Sequence, residues 1–150
     1  MTYTINDISN IIGRPTGCSN DHAIRYLVID SRKIYFPVAS LFFALQSTQQ
    51  DGHNYIPSLY KMGVRSFVVS EVIDESVYPD ACFIKVNNTL SALQKVAAFH
   101  RHRFNYPVIG ITGSNGKTIV KEWLFHLLSN EYNIVRSPKS YNSQVGVPLS

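Results

Sequence analysis

The run from Val108 to Thr118 constrains the fold of this chain more than any other stretch. It reads VIGITGSNGKT, so an apolar segment leads into a loop of small residues that ends in Gly-Lys-Thr. Glycines let the main chain curl so that several N–H groups face one anion. A helix that begins at the same point adds its positive dipole end. The order strand, loop and helix therefore predicts a phosphate-binding loop in a protein of the α/β class.

The residues of this loop have distinct expected roles. Lys117 would reach the outer phosphates of ATP as the catalytic cation, and the Thr118 hydroxyl would hold Mg²⁺. The strict motif spacing would place a glycine at Ile111, whereas the glycine here is Gly110. A helix start without a ligand is the alternative, which the flanking strand and helix patterns disfavour. The predicted ATP contacts are Gly113, Ser114, Asn115, Gly116, Lys117 and Thr118.

The segment after the loop has the periodicity of an amphipathic helix. Its apolar residues recur at one-, three- and four-residue steps, which places them in one stripe. The stripe consists of Ile119, Val120, Trp123, Leu124, Leu127 and Leu128.

Composition and charge favour a globular protein that binds small phosphorylated ligands. Hydrophobic residues make up 45% of the 150 residues and charged residues 16%. The net charge of +4 comes entirely from residues 101–150, because lysines and arginines balance the acidic residues before them. No stripe of aromatic and basic residues and no recognised DNA-binding motif accompanies this excess. We therefore expect no nucleic-acid partner.

The cysteines and the apolar runs exclude other classes. Cys18 and Cys82 are 64 residues apart without a Cys-x-x-Cys or Cys/His pattern, which excludes a disulfide scaffold and a zinc site. We expect a loop thiol and a strand-core thiol. No apolar run approaches the roughly 20 residues that span a bilayer. The N-terminus does not resemble a secretory signal. These features predict a soluble cytoplasmic protein without membrane insertion.

The remaining chain alternates between helix and strand patterns, as an α/β fold requires. A short helix capped by Thr4 and Asp7 is predicted at 5–12 and ends at Gly13. Further helices are predicted at 53–62 and 89–102, and strands at 26–29, 41–45, 66–69, 82–86, 108–111 and 133–135.

A domain boundary is expected at 103–106, before Pro107. Residues 1–106 would form a small N-terminal α/β domain. A phosphate-loop domain needs several parallel strands. Residues 107–150 would therefore be the incomplete start of an ATP-binding central domain, comprising its first strand, loop and helix.

Several blocks resemble the Mur ligase family, whose members lengthen the peptidoglycan stem peptide. The blocks are Asp30-Ser31-Arg32, the strand at 41–45, Asp51-Gly52-His53, the segment 63–69 and the loop at 112–118. Lys121-Glu122 and the closing stretch NSQVGVPLS resemble the branch that adds D-alanyl-D-alanine to UDP-MurNAc-tripeptide.

The resemblance implies an ADP-forming amide ligase that uses ATP and Mg²⁺. ATP would phosphorylate the terminal carboxylate of UDP-MurNAc-peptide, and the amine of D-Ala-D-Ala would displace the phosphate. On the same resemblance, residues 1–106 would be the UDP-substrate domain. Ser31 and Arg32 would contact the UDP portion, and Asn142 would lie near the substrate cleft. His53, at a helix start, is expected as a cap or surface group instead of a catalyst.

The chain departs from the family pattern at Ile119, at Ser143 and at 38–40. The family's acidic Mg²⁺ ligand, modified lysine and C-terminal domain would lie beyond Ser150. We therefore expect an inactive fragment whose exposed apolar surface causes self-association or a mobile C-terminal third. The alternatives are the branch that adds the third amino acid, a nucleotide-sugar-binding module without turnover, and an unrelated phosphate-loop kinase or NTPase. Fusion to a pyridoxal-phosphate alanine racemase remains open.

Overall fold

A four-stranded parallel sheet forms the centre of the protein. The computed structural model describes residues 2–15, 18, 21–138, 141 and 143–149. The sheet has the strand order β3-β4-β5-β6, and β1 and β2 form a separate antiparallel pair. The elements are β1 (Tyr3–Thr4), α1 (Ile5–Ile12), β2 (Ala23–Ile24), β3 (Tyr26–Val28), β4 (Ser40–Phe43), α2 (Ile56–Lys61), β5 (Ser66–Val69), β6 (Cys82–Lys85), α3 (Thr89–His102) and α4 (Lys117–Leu128).

Helices cover both faces of this sheet. Helices α1 and α3 pack on one face around Leu41, Val68 and Ile84, and α2 packs on the other around Phe42 and Phe67. Every residue of β4 and β5 is buried. That burial is typical of central parallel strands covered on both faces. The predicted α/β fold class is therefore confirmed.

Local signals set the bounds of α1 as the sequence predicted. The Thr4 hydroxyl accepts a hydrogen bond from the Asp7 backbone N–H at 3.1 Å, and the Asp7 carboxylate accepts one from the Thr4 N–H at 2.9 Å. This reciprocal capping box satisfies two N–H groups that the helix cannot pair itself. Gly13 ends the helix with φ 77°, a left-handed conformation that favours glycine.

Helix α2 is shorter than predicted. The predicted helix at 53–62 divides into a 3₁₀ turn, Gly52–Tyr55, and the α-helix Ile56–Lys61. Proline lies in the first turn of α2, where its missing N–H breaks no helical bond. Among the described helices, none combines the length and the apolarity needed to cross a bilayer.

The expectation of two separate thiols is wrong. A disulfide joins Cys18 to Cys82, and their Cα atoms are 5.6 Å apart. Cys18, between α1 and β2, lies against Cys82, the first residue of β6. Because the two cysteines are 64 positions apart and three strands of the sheet lie between them, the spacing in sequence gave no sign of this proximity.

The predicted strands at 108–111 and 133–135 are absent, and both segments have irregular backbone. Val108, Ile109 and Val135 are exposed, by 64%, 65% and 84%. A β-strand needs a neighbouring strand to bond its main-chain groups. No described residue pairs with either segment in a sheet. A composition that favours β-strands is therefore not sufficient to form a strand at these positions.

The last described residues return to the sheet domain. Val145 and Leu149 pack against the core beside α1 and α3, and Gln94 donates a hydrogen bond to the Gln144 carbonyl at 3.3 Å. A 3₁₀ turn, Val147–Leu149, contacts α3. This contact places the C-terminal stretch on the α3 side of the sheet.

Candidate functional site

The loop before α4 has the backbone shape that its glycines predict. Gly113 has φ 144° and Gly116 has φ 77°. Both values lie in the region that residues with a Cβ rarely adopt. A Cβ on Gly116 would meet nothing within 4 Å, so backbone conformation and not space explains this glycine. The loop is exposed, and Gly116 is the N-cap of α4.

Lys117 turns back over this loop. Its ammonium group donates hydrogen bonds to the Gly113 carbonyl and, at 3.3 Å, to the Ser114 carbonyl. A lysine ammonium has three N–H donors, so two bonds within the loop leave one for a further acceptor. The Lys117 side chain therefore places a positive charge beside the backbone of the loop, next to the start of α4.

The amino end of α4 carries no side-chain cap, because Gly116 has no side chain to supply one. The N–H groups of a first helical turn lack partners within the helix. Together with the helix dipole they favour an anion at this position. Thr118 lies in this turn and is exposed. The geometry is therefore compatible with a phosphate group on the loop.

A second polar group follows β3 at the carboxyl edge of the sheet. Arg32 binds Asp30 in a bidentate pair, with Nε–Oδ1 and Nη2–Oδ2 distances of 2.9 Å each. Hydrogen bonds from the Arg32 side chain and backbone lower the pKa of Asp30 to about 2, and the same pairing raises the pKa of Arg32. The guanidinium is thus already paired. The half-buried Ser31 hydroxyl makes no hydrogen bond to any described residue.

The Asp51-Gly52-His53 block forms a rigid corner after β4. His53 is 8% exposed, and its Nδ1 lies 2.6 Å from Asp51 Oδ1. Its Nε2 accepts a hydrogen bond from the Ser70 backbone N–H at 3.0 Å. Because Nε2 is the acceptor, we assign the proton to Nδ1, which donates to Asp51. Hydrogen bonds from His53, led by its backbone N–H, lower the pKa of Asp51.

This arrangement corrects the expectation for His53. The cap of the turn is Asp51, which accepts the His53 backbone N–H at 2.9 Å. His53 is a buried side chain that ties the loop after β4 to the end of β5. Gly52 provides the close approach, since a Cβ there would lie 2.8 Å from the Ala44 backbone. The sequence feature that could have indicated a buried histidine at this corner is the Asp-Gly pair directly before it.

Asp51, His53 and Glu71 place potential metal-ligating atoms within 4.8 Å of one another. Both ring nitrogens of His53 are engaged, however, by Asp51 and Ser70. Gln46 also donates to Glu71 at 2.7 Å and to Asp51 at 3.2 Å. The cluster is accordingly a hydrogen-bond network, and we assign it no metal.

The structure thus brings the segments 30–32 and 46–53 to the same edge of the sheet, where the carboxyl ends of β3 and β4 lie. Ligands in open α/β sheets bind outside such carboxyl ends. Asn142, predicted near the substrate cleft, lies outside the described residues. Sequence reasoning did not identify Gln46, which joins this edge to the loop after β5; a glutamine in a polar loop gave no signal.

A protein-family model described as "Mur ligase family, catalytic domain" matches residues 23–101, more than half of the chain. A UDP-N-acetylmuramoyl-tripeptide–D-alanyl-D-alanine ligase of Synechocystis is 36% identical over 133 residues, which are 89% of this chain and 29% of the relative. The same-named ligase of Treponema pallidum is 36% identical over 73% of this chain and 26% of its own length.

Solved structures with a similar fold are also Mur ligases. The chain is similar to MurF from Acinetobacter baumannii, with a TM-score of 0.88, 25% identity and coverage of 99% of this chain and 32% of that one. It is also similar to MurF ligase from Thermotoga maritima in complex with ADP, with a TM-score of 0.71, 27% identity and coverage of 83% and 28%. The chain therefore spans no more than about a third of these relatives.

Proposed function

The chain belongs to the Mur ligase family, and on that premise we propose that the full-length protein is an ADP-forming ligase that joins D-Ala-D-Ala to UDP-MurNAc-tripeptide. The observation that carries this proposal is the agreement between two independent features. The named relatives are ligases of this specificity. The loop at 113–118 has two positive-φ glycines, an inward lysine and an uncapped helix start, which together favour a bound polyphosphate.

We propose that residues 113–118 hold the ATP phosphates through backbone N–H groups and the Lys117 ammonium. When bound, ATP supplies the phosphoryl group that activates the substrate carboxylate, and Mg²⁺ neutralises its charge. Lys117 fits this role because its third N–H is available for a phosphate oxygen. A phosphate oxygen could also replace the Gly113 and Ser114 carbonyls as its acceptors. Thr118, in the first turn of α4, would supply a hydroxyl for Mg²⁺. The complex of a similar MurF with ADP supports the use of ATP.

For the UDP portion we propose the carboxyl edge of β3, with Ser31 as the first contact. Its hydroxyl makes no bond to a described residue, so binding requires no exchange. Arg32 would first have to release Asp30 or bind while it remains paired. Residues 1–106 would then form the substrate domain and 107–150 the beginning of the ATP-binding domain. Asn142 stays a proposed substrate contact.

A second candidate concerns the 150 residues alone, which would bind a UDP-sugar without turnover. The loop at 113–118 offers Mg²⁺ the Thr118 hydroxyl but no carboxylate, and the loop is exposed to solvent. We therefore expect weak or undetectable Mg-ATP binding by these residues in isothermal titration. Micromolar ATP affinity would contradict this expectation.

The test of the proposed function is a product assay with the full-length protein. UDP-MurNAc-tripeptide, Mg-ATP and D-Ala-D-Ala should together give ADP, phosphate and UDP-MurNAc-pentapeptide by mass spectrometry. As a control, a mixture of UDP-MurNAc-dipeptide and one diamino acid should give no product. A ligase of the branch that adds the third amino acid would join these two substrates. ATP hydrolysis independent of both peptide substrates, without formation of the pentapeptide, would contradict the proposed ligase activity.

A further inference from the structure

Cys18 and Cys82 lie outside both proposed substrate sites and connect distant parts of the sequence. Their disulfide joins the segment between α1 and β2 to the first residue of β6. The Cα separation of 5.6 Å is within the range that a disulfide requires. We propose that this pair is a redox-modification site that reacts reversibly with a small thiol–disulfide couple of the glutathione class.

The two sulfur atoms differ in access. Cys82 is 3% exposed and belongs to the core formed with α1 and α3, whereas Cys18 is only partly buried and packs against the edge of that core. A reagent in solution therefore reaches the Cys18 sulfur first. Buried thiols in apolar surroundings react slowly. Cys18 is accordingly the attacking residue, and Cys82 is the resolving residue that closes the bond.

Ser66 is a buried serine next to Cys82 in the sheet. It lies directly opposite Cys82 in the ladder between β5 and β6, so the two side chains share a face of the sheet. The buried Ser66 hydroxyl has no hydrogen-bond partner among the described residues. A buried hydroxyl without a partner is unfavourable. Opening the disulfide turns Cys82 into a thiol or thiolate, and a thiolate is a stronger acceptor than a disulfide sulfur. We infer that the Ser66 hydroxyl on the same face of the sheet then donates to it and positions Cys82 for closure.

Oxidation proceeds through two exchanges. The Cys18 thiol loses its proton and its sulfur attacks oxidised glutathione, whose S–S bond breaks as one glutathione leaves and takes up a proton. The Cys82 thiol then loses its proton and attacks the Cys18 sulfur, which releases the second glutathione. The two protein thiols lose two electrons and two protons, and oxidised glutathione gains both to become two thiols.

The test equilibrates the folded protein in buffers with graded ratios of reduced to oxidised glutathione. Rapid alkylation and mass spectrometry then count the free thiols. We expect the count to change from two to zero across the series and to return when the ratio is reversed. Reduction should also lower Tm by on the order of 10 °C, because the bond closes a long loop. Two free thiols in every buffer, or a bond that persists in the most reducing one, would overturn the proposal.

Variants test the division of roles. Cys82→Ala should accumulate one glutathione per chain on Cys18, whereas Cys18→Ala should remain unmodified. Ser66→Ala should slow closure several-fold and lengthen the life of the mixed disulfide. Ser91→Ala, at an exposed position of α3, should have neither effect. Equal modification of the two cysteine variants would refute the assigned order. Wild-type closure kinetics in Ser66→Ala would refute the positioning role of Ser66.

Discussion

At the scale of the residue, existing hydrogen bonds decide which polar side chains can meet a ligand. Ser31 and Arg32 are neighbours in the same motif, yet Arg32 is held by Asp30 and the Ser31 hydroxyl is not bonded to a described residue. The sequence could place both at a strand end, but it could not predict that the arginine would pair two residues back. The proposed UDP site therefore depends first on Ser31.

Replacing Arg32 by glutamine should return the pKa of Asp30 from about 2 towards its ordinary value of 3.8. The pairing favours the folded state above pH 3.8, and this contribution is lost as pH falls towards about 2. This contribution is small, because the Arg32 side chain is 84% exposed and solvent screens the pair. An NMR titration of the Asp30 carboxyl checks the shift.

Lys33→Gln is the matched control for this titration, since the Lys33 ammonium is 4.0 Å from Asp30 and makes the smallest contribution to the lowered pKa. An Asp30 pKa that stays near 2 in Arg32→Gln would show that another group causes the shift.

Gly52→Ala should destabilise the fold by about 1–3 kcal/mol, because the added Cβ would overlap the Ala44 backbone at 2.8 Å. Chemical denaturation monitored by circular dichroism gives the free energy of unfolding. Gly110→Ala is the control, with nothing within 4 Å of its Cβ, and should change stability by less than about 0.5 kcal/mol. Equal effects of the two substitutions would rule out close approach as the reason for Gly52.

At the scale of the element, α3 and α4 show what an amphipathic pattern can predict. Both helices form where their periodicity places them. Helix α3 buries Ala92, Leu93 and Val96 against the sheet, whereas α4 has no fully buried residue. Periodicity identifies the apolar side of a helix. It does not tell whether a partner for that side is present.

The difference between local and long-range contacts also explains which other features the sequence could predict. The α1 cap and Gly13 were predictable because every participating group lies within a few residues. The β1–β2 pair, the Cys18–Cys82 disulfide and the missing strand at 108–111 depend on contacts across long sequence separations. A single sequence carries little information on such contacts.

The exposed stripe of α4 should cause concentration-dependent self-association of the 150-residue chain. Trp123 is 65% exposed and Leu127 is 73% exposed, so association would bury both. The double substitution Trp123→Glu and Leu127→Glu should keep the chain monomeric in sedimentation velocity. Val72→Glu, at an 82% exposed loop position, should leave the association intact. A wild-type chain that stays monomeric at all concentrations would contradict the prediction.

At the scale of the whole molecule, the parallel sheet gathers the loops after β3, β4 and β5 at one edge. His53, Gln46 and Ser70 join two of these loops by hydrogen bonds, and Ser31 lies on the third. The loop at 113–118, proposed to bind phosphate, follows α3 as a separate feature with its own lysine and helix start. The proposed sites for UDP recognition and phosphate binding therefore lie in different parts of the chain.

The most direct test of this account is the turnover of the full-length protein with Lys117→Ala. Loss of the ammonium should lower kcat/KM for D-Ala-D-Ala addition by about 100-fold or more, while binding of UDP-MurNAc-tripeptide stays unchanged. Lys61→Ala, which removes an exposed cation at the end of α2, should retain wild-type turnover. Wild-type turnover in Lys117→Ala would contradict the assignment of residues 113–118 as the phosphate site.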